Sequence, residues 1–180
     1  MCPKCTKKNP KNKDTSKDSG YLISSDVKKL EADWKCTSCS FSITSERVAT
    51  LTLKVKEESN KVDDLCWGHY NTSGVVPHGE SSINQHEEFL KKHENVTLHP
   101  NHVFLIDKKY TLAKMYGRMV GYEADVLSDE LLRRKRQLCE DVLQVFNIIM
   151  PGRTRKRGKH WILFLMVFLI RLVLFHSYSK

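Results

Sequence analysis

The sequence predicts a mainly α protein with a small zinc-ribbon-like N-terminal module, an antiparallel helical array and an apolar C-terminal segment. Three observations carry this reading. Two CxxC pairs, Cys2-Pro-Lys-Cys5 and Cys36-Thr-Ser-Cys39, bracket a polar stretch; from Thr44 apolar residues recur at three- and four-residue spacing; and from Trp161 the chain turns almost continuously apolar. The expected boundaries are a zinc-knuckle module over 1–43, a helical array over 44–152, and a basic stretch with an apolar tail over 153–180. At 180 residues, 40% hydrophobic and 28% charged, the chain has a balance that permits one or two small globular domains.

Each CxxC turn can present two sulfurs to one ion. Cys2, Cys5, Cys36 and Cys39 are therefore the candidate ligands of a tetrahedral zinc, and four thiolates leave no open position for water or substrate. Such a closed site holds structure together and does not perform chemistry. Between the knuckles, Thr6 to Ser19 is polar and basic with Pro10 inside it, which reads as an excursion. Gly20-Tyr21-Leu22-Ile23 and Asp33-Trp34-Lys35 read as short strands, the second feeding directly into Cys36. Zinc would replace a core too small to form by burial. A redox pair needs only one CxxC, so the second pair, with Tyr21 and Trp34 nearby, favours metal. The first residues are polar and lysine-rich, without the apolar stretch of a secretory signal, so reduced thiols and a cytoplasmic or nuclear location are expected. A first ligand at residue 2 also suggests a piece of something longer.

In the second region, a Thr44/Ser45 cap and Glu46 precede Val48, Leu51 and Val55, predicting a helix to about Leu65. A Gly- and Pro-containing break is expected from Gly68 to Gly79. Helix resumes near Ser82, with Ile83, His86, Leu90 and His93 on one face, and ends around Asn95. Pro100 opens a third helix carrying Val103, Ile106, Tyr110, Ala113 and Tyr116 before Gly117. A fourth is capped by Ser128 and runs to Met150, with Leu131, Lys135, Leu138, Val142, Val145 and Ile149 in a stripe, until Pro151-Gly152 stops it. Helices of this length joined by short turns pack as antiparallel neighbours. No clean internal repeat period is visible.

The formal charge of +9 is concentrated in two blocks, Lys4 to Lys17 and Arg153 to Lys159. Both read as solvated loop charge, and the lack of interleaved aromatics makes nucleic acid the weaker partner class. His86, His93, His99 and His102 lack the spacing of a catalytic metal site, and the first two read as surface or packing residues. Cys66 and Cys139 stand singly; the latter lies beside the apolar stripe, where a free thiol behaves as a small hydrophobe.

Several separated motifs agree with one family. They are the knuckle pair with Gly20-Tyr21-Leu22-Ile23 and Trp34-Lys35-Cys36-Thr37-Ser38-Cys39, then Leu98-His99-Pro100-Asn101-His102, Tyr116-Gly117 with Gly121-Tyr122, Arg134-Lys135 with Leu138-Cys139, and Pro151-Gly152-Arg153-Thr154-Arg155. In this order they resemble the C-terminal part of an arthropod branch of the SMYD family, lysine methyltransferases that combine a SET domain with a MYND zinc finger. The resemblance implies that the knuckles follow the SET domain and that the helices are the tetratricopeptide-like region covering the substrate cleft. No stretch matches the S-adenosylmethionine pocket, the Asn-His segment or the channel tyrosine of the SET core, and the MYND cysteine-histidine array is absent. The resemblance therefore implies a non-catalytic interaction region, with no catalytic residue, no S-adenosylmethionine site, a structural Zn2+ on Cys2, Cys5, Cys36 and Cys39, and a protein partner.

The likeness stops at Gly158. Trp161 to Ile170 is wholly apolar, followed by Arg171 and then Leu172, Val173, Leu174 and Phe175. As a helix, residues 161–175 would span roughly 22 Å against a hydrocarbon core of about 30 Å, and Arg171 near the centre would cost about 2–3 kcal/mol. Three readings follow: a short membrane anchor, a buried or interface helix, or sequence exchanged by splicing or gene prediction. The alternative function is accordingly an interaction module tethered to a membrane through residues 161–175.

Overall fold

The computed structural model describes residues 1–8, 20–73 and 79–149. The excursion expected over 6–19 is corrected at its start, where residues 6–8 are helical; residues 9–19 and the basic and apolar tail, including 161–175, lie outside the described residues. Among the described residues no helix is long and apolar enough to cross a membrane.

The N-terminal part contains a short helix, α1 (Pro3–Lys8), and three strands, β1 (Leu22–Ser24), β2 (Trp34–Cys36) and β3 (Ser42–Ile43). They form an antiparallel sheet in the order β1-β2-β3, with Ile23 opposite Lys35 and Trp34 opposite Ile43. The pleat places Leu22, Ser24, Trp34 and Cys36 on a half-buried face, while Ile23 and Lys35 face solvent. Both expected strands are present. No apolar side chain in this sheet is fully buried, so burial alone cannot hold it.

The remainder is helical: α2 (Ser45–Ser73), α3 (Gly79–His93), α4 (Val103–Met115) and α5 (Asp129–Ile149). Each packs against the next in sequence. Thr44 caps α2, its hydroxyl accepting from the Arg47 amide at 3.4 Å and its carbonyl from the Val48 amide at 3.1 Å. The expected end near Leu65 is wrong: α2 runs through Gly68 to Ser73. A single glycine costs a helix about 1 kcal/mol, less than a continuous hydrogen-bonded ladder can absorb. At 29 residues α2 outreaches the 15 of α3. Its first residue in the core is Val55, and Leu51 and Leu53 before it remain 49% and 57% exposed.

Helix α3 begins at Gly79, ahead of the expected Ser82, and buries the anticipated face of Ile83, His86, Leu90 and His93. The two histidines are thus interior residues. The His86 Nδ1 lies 2.9 Å from the Ser82 carbonyl, and His93 stacks at a tilt on Phe89 with ring centroids 4.6 Å apart. Past its end, Asn95 adopts φ 59°, the left-handed turn that asparagine tolerates after a helix.

Helix α4 starts later than the proline predicts. His102 is its cap, with Nδ1 accepting from the Phe104 amide at 3.3 Å, while Pro100 stays in the preceding turn. The expected stripe is only partly right. Ile106, Ala113 and Tyr116 are buried, but Val103 is 67% exposed, and Leu105, Lys108, Lys109, Leu112 and Met115 are also buried. A helix flanked by α3 and α5 buries a wider arc than a one-sided stripe describes. In α5 the Ser128 cap is present, its Oγ accepting from the Leu131 amide at 3.3 Å. Lys135, Leu138 and Val142 are buried as expected, whereas Ile149 is 61% exposed.

One core joins these helices, including Val55, Ile83, Leu90, Leu105, Leu112 and Leu138. Charged pairs thread through it. Lys108 reaches Asp63 on α2, and Lys109 bridges Glu94 at 2.5 Å and Asp141 on α5 at 2.6 Å. The Glu87 carboxylate takes both Arg134 Nε at 2.8 Å and Arg134 Nη2 at 2.6 Å, a two-pronged pair linking α3 to α5.

Candidate metal centre

The first knuckle is built on the start of α1. The Cys2 carbonyl accepts the Thr6 amide at 3.0 Å and its hydroxyl at 2.9 Å, so the helical turn carries Cys5 back toward Cys2. The second is the tight connection between β2 and β3, closed by the Cys36 amide donating to the Phe41 carbonyl at 2.9 Å. Ser38 donates its amide to the Cys36 sulfur at 3.3 Å, as a turn wrapped around a thiolate requires. Backbone links then join the knuckles. Cys2 N donates to Gly20 O at 2.8 Å, and Thr37 N donates to Tyr21 O at 2.9 Å.

These connections bring all four predicted ligands together. Cys2 Sγ lies 3.7 Å from Cys39 Sγ, and Cys5 Sγ lies 3.8 Å from Cys36 Sγ. The four sulfurs all fall within 4.8 Å of one another. A zinc–sulfur bond of about 2.3 Å in a regular tetrahedron places sulfurs about 3.8 Å apart. The spacing therefore suits one zinc ion, whereas a disulfide needs about 2.05 Å. Among the described residues this is the one group of three or more ligating side chains close enough to share an ion.

The thiols are not equivalent. Burial pushes Cys2 up, and loss of solvation together with the neighbouring sulfurs pushes Cys5 up to about 12. At Cys36 loss of solvation acts in the same direction, but the amides of Ser38 and Cys39 and the adjoining sulfurs outweigh it and bring the group down to about 7. A cation would supply the charge that the crowded thiolates otherwise lack.

Gly20 is the functional residue that ligand spacing did not find. A Cβ built there would collide with Cys36 Sγ and stand 3.0 Å from both Cys5 Sγ and Ser38 Cβ. Only a residue without a side chain lets the backbone close over this edge of the cluster. The available signal was a lone glycine between the polar stretch and the first strand.

The module also touches the helices. The Met1 amino group donates to Thr97 O at 2.9 Å, and Tyr21 meets His99 edge-on at 5.2 Å. Thr97 Oγ1 lies 2.7 Å from His93 Nδ1, and His93 Nε2 lies 2.9 Å from Glu58 on α2. His99 and His102, both lowered by burial and then by the nearby amino group, accept backbone amides through Nδ1 and thereby shape the α3–α4 turn.

Cys139 is 1% exposed in the helical core, and burial pushes its thiol up to about 11, so it packs there as an apolar group. A second polar cluster surrounds Glu87, which accepts the Tyr116 hydroxyl at 3.1 Å besides Arg134. Burial and the adjacent carboxylate raise the phenol, while the bond to Glu87 raises Arg134. Its bonds are made between helices, which is the arrangement of a structural tie. Compared with known proteins, the chain matches no family model, no curated protein and no solved structure.

Proposed function

We propose that this chain is a zinc-stapled helical interaction region, non-catalytic in itself, that acts by presenting its helices to a protein partner. The observation that carries the reading is the convergence of Cys2, Cys5, Cys36 and Cys39 at tetrahedral spacing. Energetics support a structural role for the metal. The sheet lacks fully buried apolar side chains, whereas a structural zinc contributes about 10–16 kcal/mol of apparent binding energy that becomes folding energy. Four sulfurs fill the shell, so the ion would have no position at which to activate water or substrate.

In this proposal the motifs shared with the SMYD family mark the chain as related to the C-terminal part of those proteins. The partner is then a protein, with a SET-containing half as one candidate. Metal analysis of the reduced, purified chain tests the central reading: one zinc per chain is expected, with marked loss in Cys36→Ser. A metal-free wild-type protein, or unchanged zinc in the variant, refutes the staple. Incubation with S-adenosylmethionine and lysine-bearing protein should give no methyl transfer, and robust transfer would refute the non-catalytic reading.

A further inference from the structure

Lys108, Lys109 and Lys135 are all buried in the helical array, and the first two have their counter-charge. Lys108 meets Asp63, and Lys109 meets Glu94 and Asp141. Among the described residues no carboxylate stands at ion-pair distance from Lys135, whose ammonium has three N–H donors and one acceptor there, the Tyr116 carbonyl at 2.7 Å. That carbonyl belongs to the C-cap of α4, so it offers the partial charge of a helix end where a buried ion calls for a full one. The acid beside it is already engaged: Arg134, the neighbouring residue, takes both oxygens of Glu87. Outside the described residues the acidic side chains of the sequence are Asp14 and Asp18 alone.

The ammonium lies next to an opening. Gly117 is half-buried at φ 93°, and a Cβ built on it would stand 3.0 Å from Lys135 Nζ with no other atom within 4 Å. Any side chain there would cover the ammonium, and glycine leaves the space empty. Burial lowers the pKa of Lys135, and the charge of Arg118, next along the chain and exposed, lowers it further. Arg118 likewise has no ion-pair partner among the described residues. Two cations are thus held near each other beside an uncovered glycine, against their mutual repulsion. We propose that Lys135, Gly117 and Arg118 form a seat for a small oxyanion, a carboxylate or a phosphate, which accepts from the buried ammonium past Gly117 and is met from the solvent side by Arg118. One such anion supplies the counter-charge that Asp63, Glu94 and Asp141 supply to the other two lysines. The seat lies at the α4–α5 turn and is independent of the cysteine module and of its metal.

The reduced full chain, labelled with nitrogen-15, is titrated with sodium acetate and, in a second series, with sodium phosphate, while sodium chloride holds the ionic strength constant. The backbone amides of Gly117 and Arg118 and the Lys135 Nζ resonance are followed by NMR. At least one of the two anions should give saturable shifts centred on these groups, with a single midpoint shared by the Gly117 amide and Lys135 Nζ. Arg118→Gln should raise that midpoint by roughly two- to fivefold, the effect of losing an exposed charge contact. Lys135→Met should abolish saturation. Should the methionine variant fail to fold, the Lys135 Nζ signal of the parent decides. A signal that stays fixed while Gly117 shifts overturns the seat, as do saturation that survives in Lys135→Met and unsaturating drift with both anions.

Discussion

Replacing Gly20 by alanine places one methyl group against the centre while leaving all four cysteines in the sequence. The added carbon would overlap Cys36 Sγ and sit 3.0 Å from Cys5 Sγ and from Ser38 Cβ. Favourable contact needs about 3.5–4.0 Å, so one knuckle must retreat by on the order of 1 Å. The retreat falls on two of the four sulfurs and lengthens one face of a tetrahedron whose cross-knuckle edges are 3.7 and 3.8 Å. Overpacking of this kind costs about 1–3 kcal/mol. At 1.4 kcal/mol per decade that corresponds to a roughly 5- to 150-fold loss of zinc affinity. Competition against a chromogenic chelator at fixed pH measures the change. Gly121→Ala is the control, because Gly121 has φ +82° but no atom within 4 Å of the added carbon. It should cost about 1–2 kcal/mol of backbone strain and leave zinc affinity unchanged. A Gly20→Ala protein that binds zinc as tightly as the parent would refute the close-approach argument.

Other perturbations separate the forces further. Zinc binding should strengthen steeply with pH, because the raised thiols of Cys2 and Cys5 must surrender protons to coordinate while Cys36, near 7, is already half ionised at neutrality. At least two protons are released, so affinity should gain roughly a hundredfold or more per pH unit between pH 6 and 8, and a flat profile would exclude thiolate ligation. Lys109→Ala should lower stability by about 3–5 kcal/mol in urea unfolding, since it strands Glu94 and Asp141 together at a partly buried site. Lys135→Met should change stability by no more than about 1–3 kcal/mol: Lys135 is 3% exposed and burial lowers its pKa, so methionine relieves a desolvated ammonium, but it also strands the Tyr116 carbonyl that the ammonium meets at 2.7 Å. A base depressed by folding destabilises the fold while protonated in the unfolded chain, so wild-type stability should rise from the lowered pKa toward about 10.4, and the methionine variant should lose that rise.

The clustering of the four cysteines was legible because CxxC is a local signal and needs no knowledge of packing. The strands beside Cys36 and the Ser128 cap were legible for the same reason. What escaped depended on neighbours. Gly20 matters only because the second knuckle folds over it, and Leu105, Leu112 and Met115 joined the buried arc because α4 is covered from two sides. The end of α2 escapes a local reading because a glycine looks like a stop, although an otherwise continuous helix tolerates one. His86 and His93 were placed on the right face but their full burial depended on α2 and α4, which a helical wheel does not contain.

The buried lysines of α4 bear on which way the helix faces. Adjacent residues on a helix point about 100° apart, so Lys108 and Lys109 address different neighbours: Asp63 on α2, and Glu94 with Asp141 on α5. Rotating α4 by one residue would carry an ammonium into the apolar layer of Leu105 and Leu112 and leave carboxylates on two helices unpaired. Hydrophobic packing alone tolerates such slips far better, because one aliphatic side chain can replace another at small cost. The ion pairs thus select the facing of α4, and through its cap the shape of the α3–α4 turn. That turn is where Tyr21 and Met1 dock the metal module, through His99 and Thr97. The placement of the cysteine module is thus tied, through the turn on which it docks, to the charged pairs of α4.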